Sequence, residues 1–433
     1  MRKILIHAGM SPFDHPDLQT IFRDKLFTTN SGNLLFQFGS YRTLMTEGTE
    51  FTTRFLDRGN LSEEFIEQVN SEYDCVALPM ANNFRGTYSL KSITELVRKL
   101  TIPCIVMGIG LQAAGFEQIK QGFSFDESAK AFISAVLDHS ALLGLRGELT
   151  GEYLKKLGFS PERHFTVIGC PSMYSRGLEL PPARKTALGP GSRVSINYRK
   201  EQADNLYAFA GRVMALCPDY RLVTQRVEEM LMLRYGVPTV YTYAMRRDWN
   251  KPYPHNRRDP SVRAGKVFGY ANALAWQRSM DDIDLSVGCR IHGNIAAVLS
   301  GAPAMVLTID TRTEELCRYH NIPFIPADQI NDRTDPRALY ENTDFAHVRD
   351  GHAQRLRHFA DFISANGIDH IYRDSLTPKD VPFDRALAAL PAWGEIGCER
   401  HVSLSERWFG RHCIWSAVKG NVKWQLRNMT KKR

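Results

Sequence analysis

No two of the eight cysteines in this 433-residue chain are spaced C-x-x-C. That leaves no zinc-ribbon or thioredoxin-type motif. Cys75 and Cys104 lie inside apolar, strand-like runs. They read as buried thiols in a reducing cytosol, not as part of a disulfide framework. A long apolar run is missing too. The most apolar stretch, residues 295–309, is broken by Ser300, Gly301 and Pro303, so no transmembrane helix is expected. The opening segment, MRKILIHAGM, is too short for a signal peptide and reads as a first strand. HExxH, GxSxG and GxxxxGK[ST] are all absent. A metalloprotease, a serine hydrolase and a P-loop kinase lose support accordingly. There is no internal repeat and no low-complexity tract. Acidic residues are almost absent from one place. Residues 401–433 hold eight Lys or Arg and one Glu, which is +7 of the total net charge of +8.

With that tail set aside, the body is close to neutral, which argues against a nucleic-acid-binding protein. The plain reading of the tail is a solvated basic end. The sharper reading is peripheral contact with an anionic membrane, because Trp408, Phe409, Ile414, Trp415, Val418 and Trp424 are interleaved with the basic residues. Hydrophobic content of 43% and charged content of 24% are ordinary for a globular chain. The length exceeds what one core supports, so two domains are expected.

Strand-like runs alternate with helical patterns, which predicts parallel βαβ units. In the first half strands are expected at residues 3–7, 75–79, 104–107, 141–145 and 166–168. Helices are expected at 33–45, 90–99, 126–137 and 148–157. The aperiodic, Pro- and Gly-rich stretch 175–192 reads as a linker. The second half restarts with strands at 193–197, 221–224, 239–243, 283–287 and 304–307. Its helices are expected near 202–216, 262–277, 294–299 and 313–319. The sum is an α/β chain of two Rossmann-like domains facing a cleft, spanning 1–175 and 193–335 with a linker at 176–192. A helical extension, 336–433, includes a helix near 347–363 and ends in the basic aromatic tail.

The richest segment is residues 281–317, DDIDLSVGCRIHGNIAAVLSGAPAMVLTIDTRTEELC. A strand delivers Arg290 and His292 to a helix start, and Gly293 lets a ligand approach the backbone. Asp310 and Arg312 follow the next strand. Strand C-termini and helix N-termini are where open α/β sheets bind anions. Arg146, in L-R-G-E-L-T, projects at a similar rim. It either clamps a dianion together with Arg290 or pairs with Glu148 as a helix cap. Asn30, Gly32 and Asn33 form a turn before a helix, suited to substrate hydrogen bonding or to plain capping. Residues 108–113 fit only a loose dinucleotide pattern and read as a glycine-rich loop. The segment 243–260 mixes Tyr and Trp with Arg and Lys, suited either to sugar stacking or to a solvated loop.

These motifs resemble the polysaccharide pyruvyl transferase family. The resemblance rests on S-V-G-C-R-I-H-G-N-I-A-A-V-L-S-G-A-P with I-D-T-R-T-E-E-L (286–316), L-R-G-E-L-T-G-E-Y-L-K-K-L-G (145–158), V-T-Q (223–225) and N-S-G-N (30–33). Two positions depart from the pattern: Gly147 stands where the family has Asp after the Arg, and Asn33 where it has Asp after the Gly. The resemblance implies a glycosyltransferase-B-like fold, phosphoenolpyruvate as donor and a sugar, free or lipid-linked, as acceptor. No metal-ligating constellation is visible in the sequence, so transfer is expected to need no metal and no cofactor. The resemblance places Arg290 and His292 at the donor with Arg146 helping. The chemistry then makes His292 the general acid, Arg290, Arg146 and Arg312 the stabilisers of the leaving phosphate, and Asp310 a candidate base. Two rivals remain: a nucleotide-sugar glycosyltransferase on the same fold, and a non-catalytic binding protein.

Overall fold

A computed structural model covers the chain. It describes all residues except 59–60, 114, 200–202, 240–251, 392, 400–401 and 431–433, and of 420–430 it describes only the backbone. Among the described residues the strands form two sheets. The first has the order β2-β1-β3-β4-β5-β6, with β1 Arg2–His7, β2 Thr49–Arg54, β3 Cys75–Pro79, β4 Cys104–Ile109, β5 Leu143–Leu145 and β6 Phe165–Val167. Every pairing in it is parallel. The second has the order β12-β11-β10-β7-β8-β9-β13. Its strands are β7 Arg193–Asn197, β8 Asp219–Val223, β9 Val267–Tyr270, β10 Leu285–Gly288, β11 Ala304–Thr308, β12 Phe324–Pro326 and β13 Glu395–Ile396. Only β13 is antiparallel. The core strands are apolar on both faces: β3, β4, β10 and β11 are buried at every position. Parallel sheets covered by helices on both sides require this.

Both sheets reverse their strand order once. The reversals fall between β1 and β3 in the first sheet and between β7 and β10 in the second. Such switch points open a crevice at the strand C-termini, where doubly wound folds bind ligands. The arrangement is two Rossmann-like domains, as in the glycosyltransferase-B architecture.

The helix Asn33–Leu44 wedges between the halves. Every residue from Leu34 to Leu44 is buried, as expected of a helix with no solvent face. Its hydroxyls bond back to its own backbone, Ser40 to Phe36 O and Thr43 to Gly39 O. Gly39 is required there, since a Cβ would lie 2.2 Å from Pro171 O. After β12 the chain returns to the first domain. Helix His352–Ala365 packs beneath its sheet, where Phe362 lies against Gly144. Arg42 then pairs with Asp384 at 2.7 Å. Finally β13 adds to the edge of the second sheet, and helix Leu404–Thr430 lies against helix Val227–Tyr235.

Several expected elements shift. The helix near 262–277 is instead strand β9 between two short helices, Pro260–Arg263 and Ala273–Arg278. The helix after β10 starts at Ile291, so Arg290 is its N-cap. Edge strands β2 and β12, and helices Leu18–Asp24, Glu63–Glu72 and Val227–Tyr235, had no clear sequence signal. The expected strand at 239–243 lies almost wholly outside the described residues, as does the first half of the segment 243–260.

Candidate active site

At the second switch point, β7 ends at Asn197 and β10 leads into the turn Gly288-Cys289-Arg290. The Asn197 and Asn294 amides lock this turn. Asn197 Nδ2 donates to Ser286 Oγ at 3.1 Å, and its Oδ1 accepts from the Arg290 backbone N–H at 3.1 Å. Asn294 Nδ2 donates to Gly288 O at 3.1 Å and to Arg290 O at 3.2 Å. Gly293 lies on this pair, where a Cβ would come within 2.9 Å of Asn197 Cγ. Only glycine fits there.

The first domain closes from the other side. The turn Asn30-Ser31-Gly32 is stitched to the second domain by Ser31 N–H donating to Gln225 O at 2.8 Å and Val227 N–H donating to Thr29 O at 3.3 Å. Asn30 Oδ1 accepts from Gly32 N–H at 2.9 Å. Asn33 Nδ2 donates to Thr28 Oγ1 at 2.8 Å. A Cβ on Gly32 would sit 3.0 Å from His292 Nδ1, so the turn runs directly over the imidazole.

Between these surfaces lies a cavity of ≈ 80 Å³, whose lining includes Asn30, Asn33, Asn82, Arg146, Arg199, Gln225, Arg290, His292 and Arg312. Among the described residues four arginines line it and no carboxylate does. Arg146 is 2% exposed and uses Nη1 on Asn82 Oδ1 at 3.0 Å; its Nε and Nη2 are buried with no partner. Arg290 Nε and Nη2 and Gln225 Nε2 are in the same state. Buried charged donors without a partner are costly, and an anion or ordered water in the cavity would satisfy them. Three helices start at this rim, at Asn33, Ile291 and Thr311, which adds partial positive charge. Burial holds the Arg199 guanidinium below its ordinary value, and Arg290 and Arg312 repel it further.

His292 is 7% exposed, with Nε2 3.7 Å from Cys170 Sγ and its ring 5.8 Å from Phe36. Burial first, then the charge of Arg146, lowers its pKa to about 3. These surroundings favour the neutral imidazole at pH 7. Asp310 faces outward from the cavity. Its carboxylate accepts from Arg312 and, at 3.4 Å, from Thr313 N–H as a helix cap. It holds Arg312 in place and lines a neighbouring groove of ≈ 650 Å³. That groove shares Arg199 and Ile309 with the cavity and is walled by Phe116, Leu149, Asn205, Glu314 and Asp328.

The carboxylate missing at Gly147 is supplied from the other domain. Gly147 caps helix Glu148–Lys156 without a side chain. Glu315 reaches across and accepts from Thr150 N–H and Thr150 Oγ1, both at 3.0 Å. This is the bond an N-cap Asp makes to the third residue of its helix. A Cβ at 147 would come within 2.5 Å of Glu315 Cβ, so the two features exclude each other. Burial raises the Glu315 pKa to about 7. The same helix end reaches the first domain twice more, through Thr311 Oγ1 to Ala113 O at 3.0 Å and Arg312 Nη1 to Gln112 Oε1 at 3.4 Å.

Asn30, Asn33, Arg146, Arg290, His292 and Arg312 thus line one cavity, Gly32 and Gly293 pack behind its walls, and Asp310 lies one layer out. Sequence reasoning gave no role to Asn82, Arg199, Gln225, Asn197 or Glu315, although Gln225 and Glu315 fall within its motifs. The first four follow or end strands β3, β7 and β8, so the rule of strand C-termini would have found them. Among the described residues no group of three or more His, Cys, Asp or Glu is placed to hold a metal ion.

A family model described as polysaccharide pyruvyl transferase matches residues 7–311, from β1 through the turn after β11. The chain belongs to the polysaccharide pyruvyl transferase family. No curated protein matches it. Among solved structures, an uncharacterized protein from Klebsiella pneumoniae is 14% identical over 75% of this chain and 93% of its own, with a TM-score of 0.40. Anabaena HepE, in complex with UDP and glucose, is 12% identical over 85% of this chain and 97% of its own, with a TM-score of 0.40. A putative UDP-N-acetylglucosamine 2-epimerase from Listeria monocytogenes is 11% identical over 88% and 98%, with a TM-score of 0.43. For this polysaccharide pyruvyl transferase family member, Arg290 and His292 fall inside the matched segment, whereas Arg312 and Glu315 lie just beyond it.

Proposed function

We propose that this protein transfers the pyruvyl group of phosphoenolpyruvate to two hydroxyls of a sugar, forming a cyclic ketal and releasing phosphate. One observation carries the reading. Arg146 and Arg290 reach one cavity from opposite domains with buried, unsatisfied N–H groups, and His292 lines the same cavity. A small molecule bearing both carboxylate and phosphate meets that demand, and guanidinium groups bind both bidentately.

The chemistry follows from the protonation states. A bound trianionic donor offsets the field of Arg146, so His292 gains a proton that burial and Arg146 otherwise disfavour. The imidazolium protonates the terminal enol carbon, which becomes the methyl group. The first hydroxyl adds to the central carbon and returns its proton to His292. The second hydroxyl displaces phosphate, which leaves with the remaining proton, its charge held by the arginines. Two hydroxyl protons are consumed, one ending on carbon and one on phosphate. Asp310 positions Arg312 and is not needed as a base. The donor occupies the small cavity and the acceptor the larger groove beside it, where Phe116 offers a face for a sugar ring. The acceptor is a polysaccharide unit or its lipid-linked precursor.

The test is incubation of the enzyme with phosphoenolpyruvate and a panel of aryl hexosides, following inorganic phosphate and the product mass. Phosphate release that requires a glycoside, with the mass gain of one pyruvylidene group, supports the reading. Transfer from a nucleotide sugar but not from phosphoenolpyruvate overturns it in favour of a glycosyltransferase. A folded protein inert with both donors while still binding the glycosides overturns it in favour of a binding protein.

A further inference from the structure

The helix Leu404–Thr430 has two faces with opposite fates. Its inner face is committed to the second domain. Phe409 packs edge-on against Tyr235 at 5.1 Å, and Gly410 is close enough that a Cβ would lie 3.0 Å from Tyr235 O. Glu406, the sole acid of residues 401–433, is bound to Arg234 at 2.5 Å and accepts from Ser403 N–H at 2.8 Å.

The outer face exposes large apolar side chains among cations. Leu404, Trp408, Trp415 and Val418 are 83%, 69%, 66% and 37% exposed. With Arg411 they recur at alternating spacings of four and three, so they form a single stripe along the helix. Arg411 interrupts the stripe, exposed Arg407 and Lys419 flank it, and Lys419 lies 5.9 Å from the Trp415 ring. The sequence beyond adds Lys423, Arg427, Lys431, Lys432 and Arg433. Two bare tryptophans beside cations, with the one acid turned inward, have the composition of an interfacial helix. Among the described residues no helix is long and apolar enough to cross a membrane.

We propose that this face docks on an anionic lipid surface. The stripe enters the boundary between headgroups and acyl chains, and the basic flank faces the lipid phosphates. Charge complementarity selects the occupant. A second copy would bring another +7 tail against the first, which like charge opposes. The position also fits. Helix Val227–Tyr235 begins beside Gln225 at the cavity and ends at Tyr235 under the tail, a length of about 14 Å for nine residues. The lipid surface therefore lies about one short helix from the cavity, within reach of a lipid-linked acceptor. Only that last consequence rests on the transferase reading.

The test is co-sedimentation of the full chain with vesicles of phosphatidylcholine alone or mixed with phosphatidylglycerol, at low and high salt. Two exposed double variants are compared, Trp408→Ser with Trp415→Ser and Arg407→Gln with Arg411→Gln, with analytical ultracentrifugation of each. The expected result is pelleting with the mixed vesicles only, weakened as salt rises from about 0.1 M to about 0.5 M. The tryptophan pair should lose about tenfold or more in partitioning. The arginine pair should lose about fivefold for each charge removed. Activity on a soluble glycoside should be unchanged in both. Wild type left in the supernatant with anionic vesicles overturns the proposal, as does equal pelleting of the tryptophan variant. A dimer that the tryptophan variant converts to monomer also overturns it and makes the stripe an interface between copies.

Discussion

The two domains hold their arginines in different ways. The second domain fixes Arg290 with its own Asn197, Ser286 and Asn294, all within the switch-point crevice. The first domain does not finish its half. Arg146 precedes a helix whose N-terminus is capped by Glu315 from the other domain. One half of the site is therefore preformed, and the other is completed only when the domains meet. The borrowed cap ties the Arg146 side of the cavity to the contact between the domains.

The largest effects should come from breaking the clamp itself. Arg290→Ala should lower transfer by about 10²–10³-fold through lost charge stabilisation. His292→Ala should lower it by about 10²–10⁴-fold while leaving donor binding within a few-fold. Initial rates together with calorimetric Kd values separate the two. Next comes the self-contained half. Asn197→Ala leaves the Arg290 turn and Asn294 short of partners and should cost about 2–3 kcal/mol of stability in urea denaturation.

The borrowed cap should be cheaper to break. Glu315→Ala should cost about 1–2 kcal/mol and raise KM for the donor more than it lowers kcat. Gly147→Asp alone should be worse than wild type because its Cβ meets Glu315. The double variant Gly147→Asp with Glu315→Ala should recover stability, since the cap then returns to its own helix. A double variant no more stable than either single variant would show that Glu315 does not act as a cap.

The smallest effect sharpens the comparison through pH. His292 is lowered from 6.5 to about 3, so its neutral form belongs to the folded state. Its contribution is complete above about pH 6.5 and is lost as pH falls toward 3. Glu315 is raised from 4.5 to about 7, so its protonated form belongs to the folded state. Its contribution is complete below about pH 4.5 and is lost as pH rises toward 7. Melting curves of Glu315→Gln and wild type should therefore diverge with pH. The variant should gain on wild type by on the order of 1 kcal/mol between pH 5 and pH 8. A constant difference would contradict a buried, protonated Glu315.

What could be read from sequence follows the same division. The second half of the site is local: Arg290, His292 and Gly293 lie on one strand–turn–helix, and the strand-end rule exposes them. Several helices and strands of the first domain fall within a residue or two of their expected bounds, such as Asp126–Leu137 and Cys75–Pro79, because buried parallel strands carry a clear apolar signal. Strand β9 was hidden because Val267, Phe268 and Tyr270 sit between two helical fragments and mimic one amphipathic run. Edge strand β2 has five polar residues of six and only one fully buried position, and β12 ends in a proline, which weakens the strand signal. The Glu315 cap could not be read at all. Its partner lies 165 residues away, and only tertiary structure brings them together. Gly147 looked like a lost carboxylate, whereas the structure shows it replaced in space.

The central claim is that the cavity binds phosphoenolpyruvate between Arg146 and Arg290, and calorimetric titration tests it most directly. Wild type, Arg290→Ala and His292→Ala would each be titrated with phosphoenolpyruvate and, separately, with UDP. The account predicts that wild type binds phosphoenolpyruvate with a matching rise in Tm. It also predicts that Arg290→Ala loses this binding and that His292→Ala largely keeps it. A well-folded wild type that binds UDP but not phosphoenolpyruvate would contradict it, as would an Arg290→Ala variant that binds phosphoenolpyruvate as tightly as wild type.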